Sequence, residues 1–192
     1  MSHFIFATHN SHKAEELKAM LPQLDIKTLF DLNHQAEIAE TASDLRGNAL
    51  IKAQEIHELF GGTVIADDTG LEVNALHGAP GVRSARYAGE PKNDRKNLEK
   101  LLGALKGEKN RKAQFRTVIC LLTNEKTLYF EGIVKGTISE KAVGVGGFGY
   151  DPVFVPDGFN QSFAELPPEV KNKISHRGLA VQKLVQYLQG TT

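Results

Sequence analysis

The chain has little cysteine and no excess charge of either sign. Its 192 residues include one cysteine, Cys120, so no disulfide bond can form within the chain. Cys120 lies in the apolar segment 118–122, where a small buried hydrophobic residue is expected. Lysine plus arginine and aspartate plus glutamate number 23 each, so the formal net charge is zero. Because a nucleic-acid-binding domain usually carries a basic excess, we expect no nucleic acid as a partner and a local phosphate site at most.

Long apolar runs are also absent, and we expect no leader segment. No apolar stretch approaches the roughly 18 residues needed to cross a bilayer, so we expect no membrane partner. The sequence enters the apolar segment 4–7 without a basic region or a cleavage site, and we therefore expect a cytoplasmic protein. This length suits one well-buried core, which predicts a single domain over residues 1–192.

Apolar periodicity predicts helices and strands in a mixed order. Pro22 and the pair Gly61-Gly62 end the first two predicted helices. The strands do not alternate strictly with the helices, so the predicted class is α/β with a mixed sheet. We predict helices at 13–21, 43–60, 91–105 and 175–189, and strands at 3–7, 25–29, 63–66, 71–73, 113–123 and 127–136, the last two joined as a hairpin.

Two adjacent carboxylates follow the predicted strand 63–66, in the sequence Asp67-Asp68-Thr69-Gly70. Each carboxylate raises the cost of ionising the other. A cation that faces both, or that faces one while the other is hydrogen-bonded, removes that cost. Mg²⁺ prefers one or two carboxylates together with substrate phosphate oxygens. Because Asp and Gly also dominate turns, these four residues alone leave both a simple turn and a cation site open.

A second polar group lies where the first predicted helix begins. Thr8, Asn10 and Lys13 offer a hydroxyl, an amide and an ammonium beside the backbone amides of a helix N-terminus. These groups together suit a phosphate. A capped helix with a solvated lysine is the alternative.

A third group lies on the second predicted helix. Asn48 and Lys52 are four residues apart and therefore share a helix face, and Glu40 precedes the helix. A carboxylate and a lysine in these positions suit a metal and a triphosphate. A solvated helix face explains the same pattern.

The C-terminal third contains aromatic and hydrogen-bonding groups that suit a purine. Phe148-Gly149-Tyr150-Asp151-Pro152 places an aromatic face beside a carboxylate. Lys171 and Ser175-His176-Arg177-Gly178 add donors at the start of the last helix, and arginine can donate to a purine O6 and N7. Taken singly, these residues also suit a core aromatic and a solvated basic turn.

A glycine pattern in the same region does not predict a dinucleotide site. Gly144, Gly146 and Gly149 match G-x-G-x-x-G, but Pro152 stands where the helix of that motif should run. We predict a turn here, or a close approach of a ligand.

Seven motifs, taken in order, resemble the inosine triphosphate pyrophosphatase-like family. They are Thr8-x-Asn10-x-x-Lys13, Glu40-Thr41, Asn48-Ala49-x-x-Lys52-Ala53, Ala66-Asp67-Asp68-Thr69-Gly70-Leu71, Gly78-Ala79-Pro80-Gly81-Val82-x-Ser84-Ala85-Arg86-Tyr87, Gly146-Gly147-Phe148-Gly149-Tyr150-Asp151-Pro152 and Ser175-His176-Arg177-Gly178. Leu45 and Gly47 depart from the residues that such proteins more often carry, at positions that look like packing and helix surface.

The resemblance implies an elongated mixed β-sheet flanked by helices, with two lobes around a central cleft, and a homodimer. It implies hydrolysis of non-standard purine nucleoside triphosphates (ITP, dITP and XTP) to the monophosphate and pyrophosphate, with Mg²⁺ as cofactor. A related pyrophosphatase acting on pyrimidine or modified nucleotides, and a catalytically silent nucleotide-binding module, are the alternatives.

The resemblance also implies a role for each matched residue. Asp68 would be the proton acceptor for the attacking water, and Glu40 and Asp68 would bind the metal. The phosphates would be bound by Thr8, Asn10, Lys13, Lys52 and Thr69, and the base by Phe148, Gly149, Tyr150, Asp151, Lys171, His176 and Arg177.

Overall fold

The computed structural model describes residues 4–190, in which five α-helices and seven β-strands form. The strands are β1 (Phe4–Phe6), β2 (Ile26–Thr28), β3 (Thr63–Val73), β4 (Pro80–Gly81), β5 (Lys112–Leu122), β6 (Thr127–Ile138) and β7 (Phe154–Pro156). The helices are α1 (Ser11–Met20), α2 (Leu45–Phe60), α3 (Asp94–Ala104), α4 (Pro168–Ile174) and α5 (His176–Leu188). No helix in this range is long and apolar enough to cross a membrane.

The strands form one mixed sheet. Their order is β2-β1-β3-β5-β6-β7, and β4 pairs with β3 outside that sequence of neighbours. Strand β1 pairs in parallel with both β2 and β3. Strands β4 and β7 pair antiparallel with β3 and β6. The predicted α/β class with a mixed sheet is confirmed.

The chain divides into two compact units. The first contains the described chain up to Asp68, Thr117–Gly132 and the chain from Arg177 onward, and the second contains Thr69–Arg116 and Ile133–His176. The predictions of a single domain over 1–192 and of a central cleft stay predictions.

Side chains of β3 alternate between two core layers of the first unit. Val64 and Ala66 pack with the α2 residues Ala49, Ala53 and Ile56. Ile65 packs in a separate core that contains residues of α1 and α5, among them Leu17 and Val181. Because successive strand residues point to opposite faces, the residue type at each position of β3 decides which helices it meets.

Polar caps explain where α1, α2 and α3 begin. Asn10 Oδ1 accepts from Lys13 N at 3.1 Å, which caps α1. Asp44 Oδ1 accepts from Gly47 N at 2.7 Å before α2, and Asn93 Oδ1 accepts from Lys96 N at 2.9 Å before α3. Helix α2 ends at Gly61, whose φ of 65° suits glycine, as the sequence predicted.

Two parts of the sequence prediction were wrong. The residues Asp67-Asp68-Thr69-Gly70 do not form a turn, because β3 is continuous from Thr63 to Val73. Its later part pairs with Pro80 and Gly81, a two-residue partner that no periodicity predicts. Helix α4 and strand β7 were also missed, since both are short.

Candidate active site

Asp67 and Asp68 lie on opposite faces of β3. Asp68 follows Val64 and Ala66 onto the α2 side, whereas Asp67 follows Ile65 onto the side of α1 and α5. Each carboxylate therefore has its own set of partners. Lys13 and Lys52 nevertheless favour the ionised form of both carboxylates, so part of the cost expected for adjacent carboxylates is offset by the same two cations, each of which acts to lower both pKa values.

Asp68 and Glu40 meet at the ammonium of Lys52. The Lys52 Nζ lies 2.6 Å from Glu40 Oε1 and 3.7 Å from Asp68 Oδ1. Lys52 projects from α2 and is 8% exposed. Glu40 and Asp68 thus lie close to the same ammonium group, and their predicted role as ligands of one divalent ion stays a prediction.

Asn48 orients the same group. Its Nδ2 donates to Asp68 Oδ2 at 3.1 Å, and its Oδ1 accepts from the backbone N–H of Ala42 at 2.9 Å. Asn48 thereby ties the segment that carries Glu40 to the strand that carries Asp68. The spacing of four residues between Asn48 and Lys52 predicted that the two share a helix face. No separate role for Asn48 was predicted.

The pKa values of the α2-side residues are shifted by burial and by their charged partners. Burial raises the pKa of Asp68, and the nearby Lys52 and Lys13 do not fully offset that effect. Burial by itself lowers the pKa of Lys52, but Asp68 and Glu40 outweigh it, so the pKa is raised and Lys52 stays charged. A carboxylate with a raised pKa beside a fixed cation is suited to accept a proton.

Asp67 binds two cations on the other face. Its Oδ1 accepts from Lys13 Nζ at 3.1 Å, and its Oδ2 accepts from Arg177 Nε at 3.2 Å. Arg177 also donates from Nη1 to Glu16 of α1. Burial opposes ionisation of Asp67, but Lys13 and Arg177 outweigh burial, and the pKa of Asp67 lies below its ordinary value.

Three of the predicted phosphate residues of the first unit lie around the start of α1, and the fourth, Lys52, lies on α2. Thr8 Oγ1 accepts from Asn10 N at 3.2 Å, and Asn10 in turn caps the helix through Lys13 N. Lys13 is largely buried, and burial lowers its pKa more than Asp67 raises it. Thr69, the remaining residue of this set, follows Asp68 in β3 and is partly buried.

Three predicted base-binding residues form a compact group in the second unit. Asp151 Oδ2 accepts from Phe148 N at 2.8 Å and from Lys171 Nζ at 2.7 Å. The same Nζ lies 5.1 Å from the centroid of the Phe148 ring. A Cβ at Gly147 would lie 2.1 Å from Asp151 Oδ2, so this glycine is needed for the close approach of the carboxylate.

The other predicted base-binding residues lie in different surroundings. Tyr150 is buried in the core of the second unit, where its hydroxyl donates to Ser84 O at 2.8 Å and burial raises its pKa. His176 stacks on Phe115 with ring centroids 4.5 Å apart. Gly149 N donates to Asp94 Oδ2 at 2.9 Å. Arg177 belongs to the first unit, where it contacts Asp67 and Glu16.

Glu40 and Asp68 suit a hard cation that is held by few protein ligands. No group of three or more His, Cys, Asp or Glu side chains arranged for a metal occurs between residues 4 and 190. Glu40 and Asp68 supply two carboxylates that already face one positive charge. Mg²⁺ is bound in this way when substrate phosphates complete its coordination.

Comparison with known proteins gives full-length matches. The sequence model of the Ham1 family matches residues 4–187. A dITP/XTP pyrophosphatase of Flavobacterium johnsoniae is 51% identical over 97% of this chain and 98% of that protein. A dITP/XTP pyrophosphatase of Porphyromonas gingivalis is 51% identical over 98% of each chain.

Solved structures match as well. The Ham1 protein of Staphylococcus aureus has a TM-score of 0.89 at 39% identity and covers 99% of this chain and 100% of its own. A protein of Mycobacterium abscessus named nucleoside-triphosphatase / dITP/XTP pyrophosphatase has a TM-score of 0.76 at 38% identity, over 95% of this chain and 98% of its own.

Proposed function

This chain belongs to the Ham1 family, and we propose that it hydrolyses non-standard purine nucleoside triphosphates (dITP, ITP and XTP) to the monophosphate and pyrophosphate. The names of its relatives supply the substrate class. The observation that carries the proposal is that Lys52 Nζ lies 2.6 Å from Glu40 and 3.7 Å from Asp68, which gathers two carboxylates and a cation. Lys13 of α1 is close enough to act on Asp68 as well.

Glu40 and Asp68 are the proposed ligands of Mg²⁺. Their fit is supported by the single positive charge that both carboxylates already face. When bound, Mg²⁺ supplies charge neutralisation of the phosphates and makes a nucleophilic water available near neutral pH. Asn48 orients the Asp68 carboxylate by donating a hydrogen bond to Asp68 Oδ2.

Asp68 is the proposed proton acceptor. The oxygen of the attacking water forms a bond to phosphorus, pyrophosphate leaves with the electrons of the broken phosphoanhydride bond, and the water proton passes to the carboxylate. Burial and the raised pKa of Asp68 suit this step, because a carboxyl of ordinary pKa is a weaker base.

Cations and helix amides are proposed to bind the phosphates. Lys13 and Lys52 are largely buried ammonium groups with carboxylate partners, so both are held in place before a triphosphate arrives. Thr8, Asn10 and the first turn of α1 add hydroxyl, amide and backbone donors, and Thr69 adds a second hydroxyl. Most of the catalysis of phosphoryl transfer comes from such positioning and charge stabilisation.

Base selection is proposed for the group around Asp151. Phe148 offers a ring for stacking, Lys171 a donor and Asp151 an acceptor. Hypoxanthine and xanthine present an O6 acceptor where adenine presents an N6 donor, so a donor aimed at O6 is left unpaired against adenine. Sites that depend on such a hydrogen bond discriminate by about 10⁴ or more.

The resemblance supports three further proposals. We propose a homodimer, a cytoplasmic location and no nucleic-acid partner, the last supported by the zero formal net charge. Gly149, Tyr150, His176 and Arg177 stay proposed base-binding residues on the basis of their motifs.

A panel of nucleoside triphosphates, assayed with Mg²⁺ and with excess chelator, tests the proposal. We expect pyrophosphate release from dITP, ITP and XTP. The rates of release from ATP, GTP, CTP and UTP are expected to be lower by at least about 10²-fold. Loss of activity with chelator and its return with Mg²⁺ are expected too. Preference for a pyrimidine substrate, orthophosphate as product, or binding without hydrolysis would each contradict the proposal.

A further inference from the structure

Asp67 lies next to Asp68 in β3 but has different hydrogen-bond partners: Asp67 accepts from Lys13 and Arg177, and Asp68 accepts from Asn48. The two are consecutive strand residues, so Asp67 points to the side of α1 and α5. It is 2% exposed. A carboxylate buried to this degree costs free energy unless it is paired and hydrogen-bonded.

The two oxygens of Asp67 are shared between two cations from distant parts of the chain. Lys13 Nζ donates to Oδ1 at 3.1 Å and Arg177 Nε donates to Oδ2 at 3.2 Å. Lys13 and Arg177 would repel one another at this separation if no carboxylate lay between them. Asp67 therefore sets the place of both side chains at once.

Glu16 completes this buried ion-pair group. It lies on α1 one turn after Lys13 and accepts from Nη1 of Arg177, which is itself 2% exposed. Two carboxylates balance two cations, and the arginine is held at both ends of its guanidinium. Lys13 is the more exposed of the two cations in the group, since 14% of its side chain is exposed against 2% for Arg177.

We propose that Asp67 is a positioning residue that holds Lys13 for the substrate phosphates through a buried Glu16–Arg177–Asp67–Lys13 group, and that it does not bind the metal. This inference rests on the proposed function, because it assigns Lys13 to a phosphate. Asp67 acts through Lys13, whereas Asp68 and Glu40 are the proposed ligands of Mg²⁺.

Kinetics of Asp67→Asn test the proposal against a metal-binding role. An asparagine keeps the shape but offers one acceptor oxygen, so one of the two cations faces an amide N–H₂. We expect the KM for dITP to rise by at least about tenfold, since a charge-assisted hydrogen bond is lost. The Mg²⁺ concentration for half-maximal activity is expected to stay within about twofold of wild type, whereas Glu40→Gln raises it.

A double-mutant cycle with Lys13→Ala shows whether Asp67 acts through Lys13. If it does, Asp67→Asn adds little to the KM of Lys13→Ala, because the partner is already absent. The matched control is Glu72→Gln, which removes another β3 carboxylate paired with an arginine, Arg116 at 3.0 Å. We expect Glu72→Gln to leave the KM unchanged. KM effects of Asp67→Asn and Lys13→Ala that multiply, or a raised Mg²⁺ requirement in Asp67→Asn, overturn the proposal.

A measurement on the wild-type chain keeps the test independent of the folding of the variant. The acetylation rate of Lys13 is measured in the absence of nucleotide, once with and once without Mg²⁺. The rate of the more exposed Lys18 serves as the internal reference. Mg²⁺ bound to Asp67 would release Lys13 and speed its labelling, so an unchanged rate is expected and an increase overturns the proposal. If the wild-type protein releases no pyrophosphate, the proposed function is wrong. The labelling experiment still tests the pairing of Asp67 with Lys13 in that case, because it requires no turnover.

Discussion

Asn48 donates to Asp68 Oδ2 at 3.1 Å from a side chain that also accepts the Ala42 backbone N–H at 2.9 Å. One buried amide thus joins α2, the segment that follows Glu40 and the middle of β3. Because an amide has fixed donor and acceptor ends, this bond pattern directs Oδ2 of Asp68 to Asn48, while Oδ1 lies 3.7 Å from Lys52 Nζ. The orientation of the proposed proton acceptor depends on a residue that need not touch the substrate.

Asn48→Ala is expected to lower kcat/KM for dITP by about 10- to 100-fold and to raise the Mg²⁺ requirement. The variant removes one hydrogen bond from Asp68 and one from the Glu40 segment, each worth about 1–2 kcal/mol when buried. Asn97→Ala is the matched control, because Asn97 is equally buried and its amide also makes two hydrogen bonds, accepting from Ala88 N and donating to Ala85 O. Equal Mg²⁺ requirements in the two variants would show that Asn48 is a general structural residue.

Asp68→Asn is expected to fold and to lose pyrophosphate release by at least about 10³-fold, the scale of a lost general base together with a weakened metal site. The amide can keep the hydrogen bond from Asn48 only through its oxygen and cannot accept the water proton. Circular dichroism and thermal unfolding verify the fold. Asp31→Asn serves as control, because Asp31 pairs with Lys18 and Thr28 instead. Turnover near wild type in Asp68→Asn would remove Asp68 from its role.

The elements of the fold could be predicted from periodicity where a segment is long. Helix α2 carries Ala49, Ala53 and Ile56 on one buried face, and β5 and β6 are long enough to read as a hairpin. The continuation of β3 through Asp67 and Asp68 could not be predicted, because Asp and Gly favour turns locally. It depends on tertiary partners: the helix side chains that reach each carboxylate, and the short strand β4.

The sequence indicated the candidate residues of the site, but it did not predict which side chains contact each other. Thr8, Asn10, Lys13, Lys52 and Asp68 stood out by residue type and spacing. The contact between Arg177 and Glu16 joins residues 161 positions apart, and nothing in the local sequence of either predicts it. Arg177 was predicted to read the base from its motif, whereas its described contacts are with carboxylates of the first unit.

Cys120 is expected to be chemically inert in the folded protein. Burial raises the pKa of its thiol to about 12, although Arg46 acts in the opposite direction. The thiol therefore stays protonated at pH 8, and only the thiolate reacts with a disulfide reagent. We expect no labelling by Ellman's reagent at pH 8 and one thiol per chain in 6 M guanidinium, about the concentration that unfolds most domains. Rapid labelling of the native protein would contradict the burial of Cys120.

Phe148→Ala is expected to raise the KM for dITP by about tenfold, with a smaller change in kcat. Stacking of a base on an aromatic ring contributes about 1–3 kcal/mol by alanine substitution, and Phe148 lies beside Lys171 with its backbone N–H bound to Asp151. The effect should be the same for dITP and XTP, because both rings present a π face. Phe159→Ala is the control, since Phe159 is an exposed aromatic of the same unit. If both variants keep the wild-type KM, the base does not stack on Phe148, and base selection must depend on the other proposed base-binding residues, among them Asp151 and Lys171.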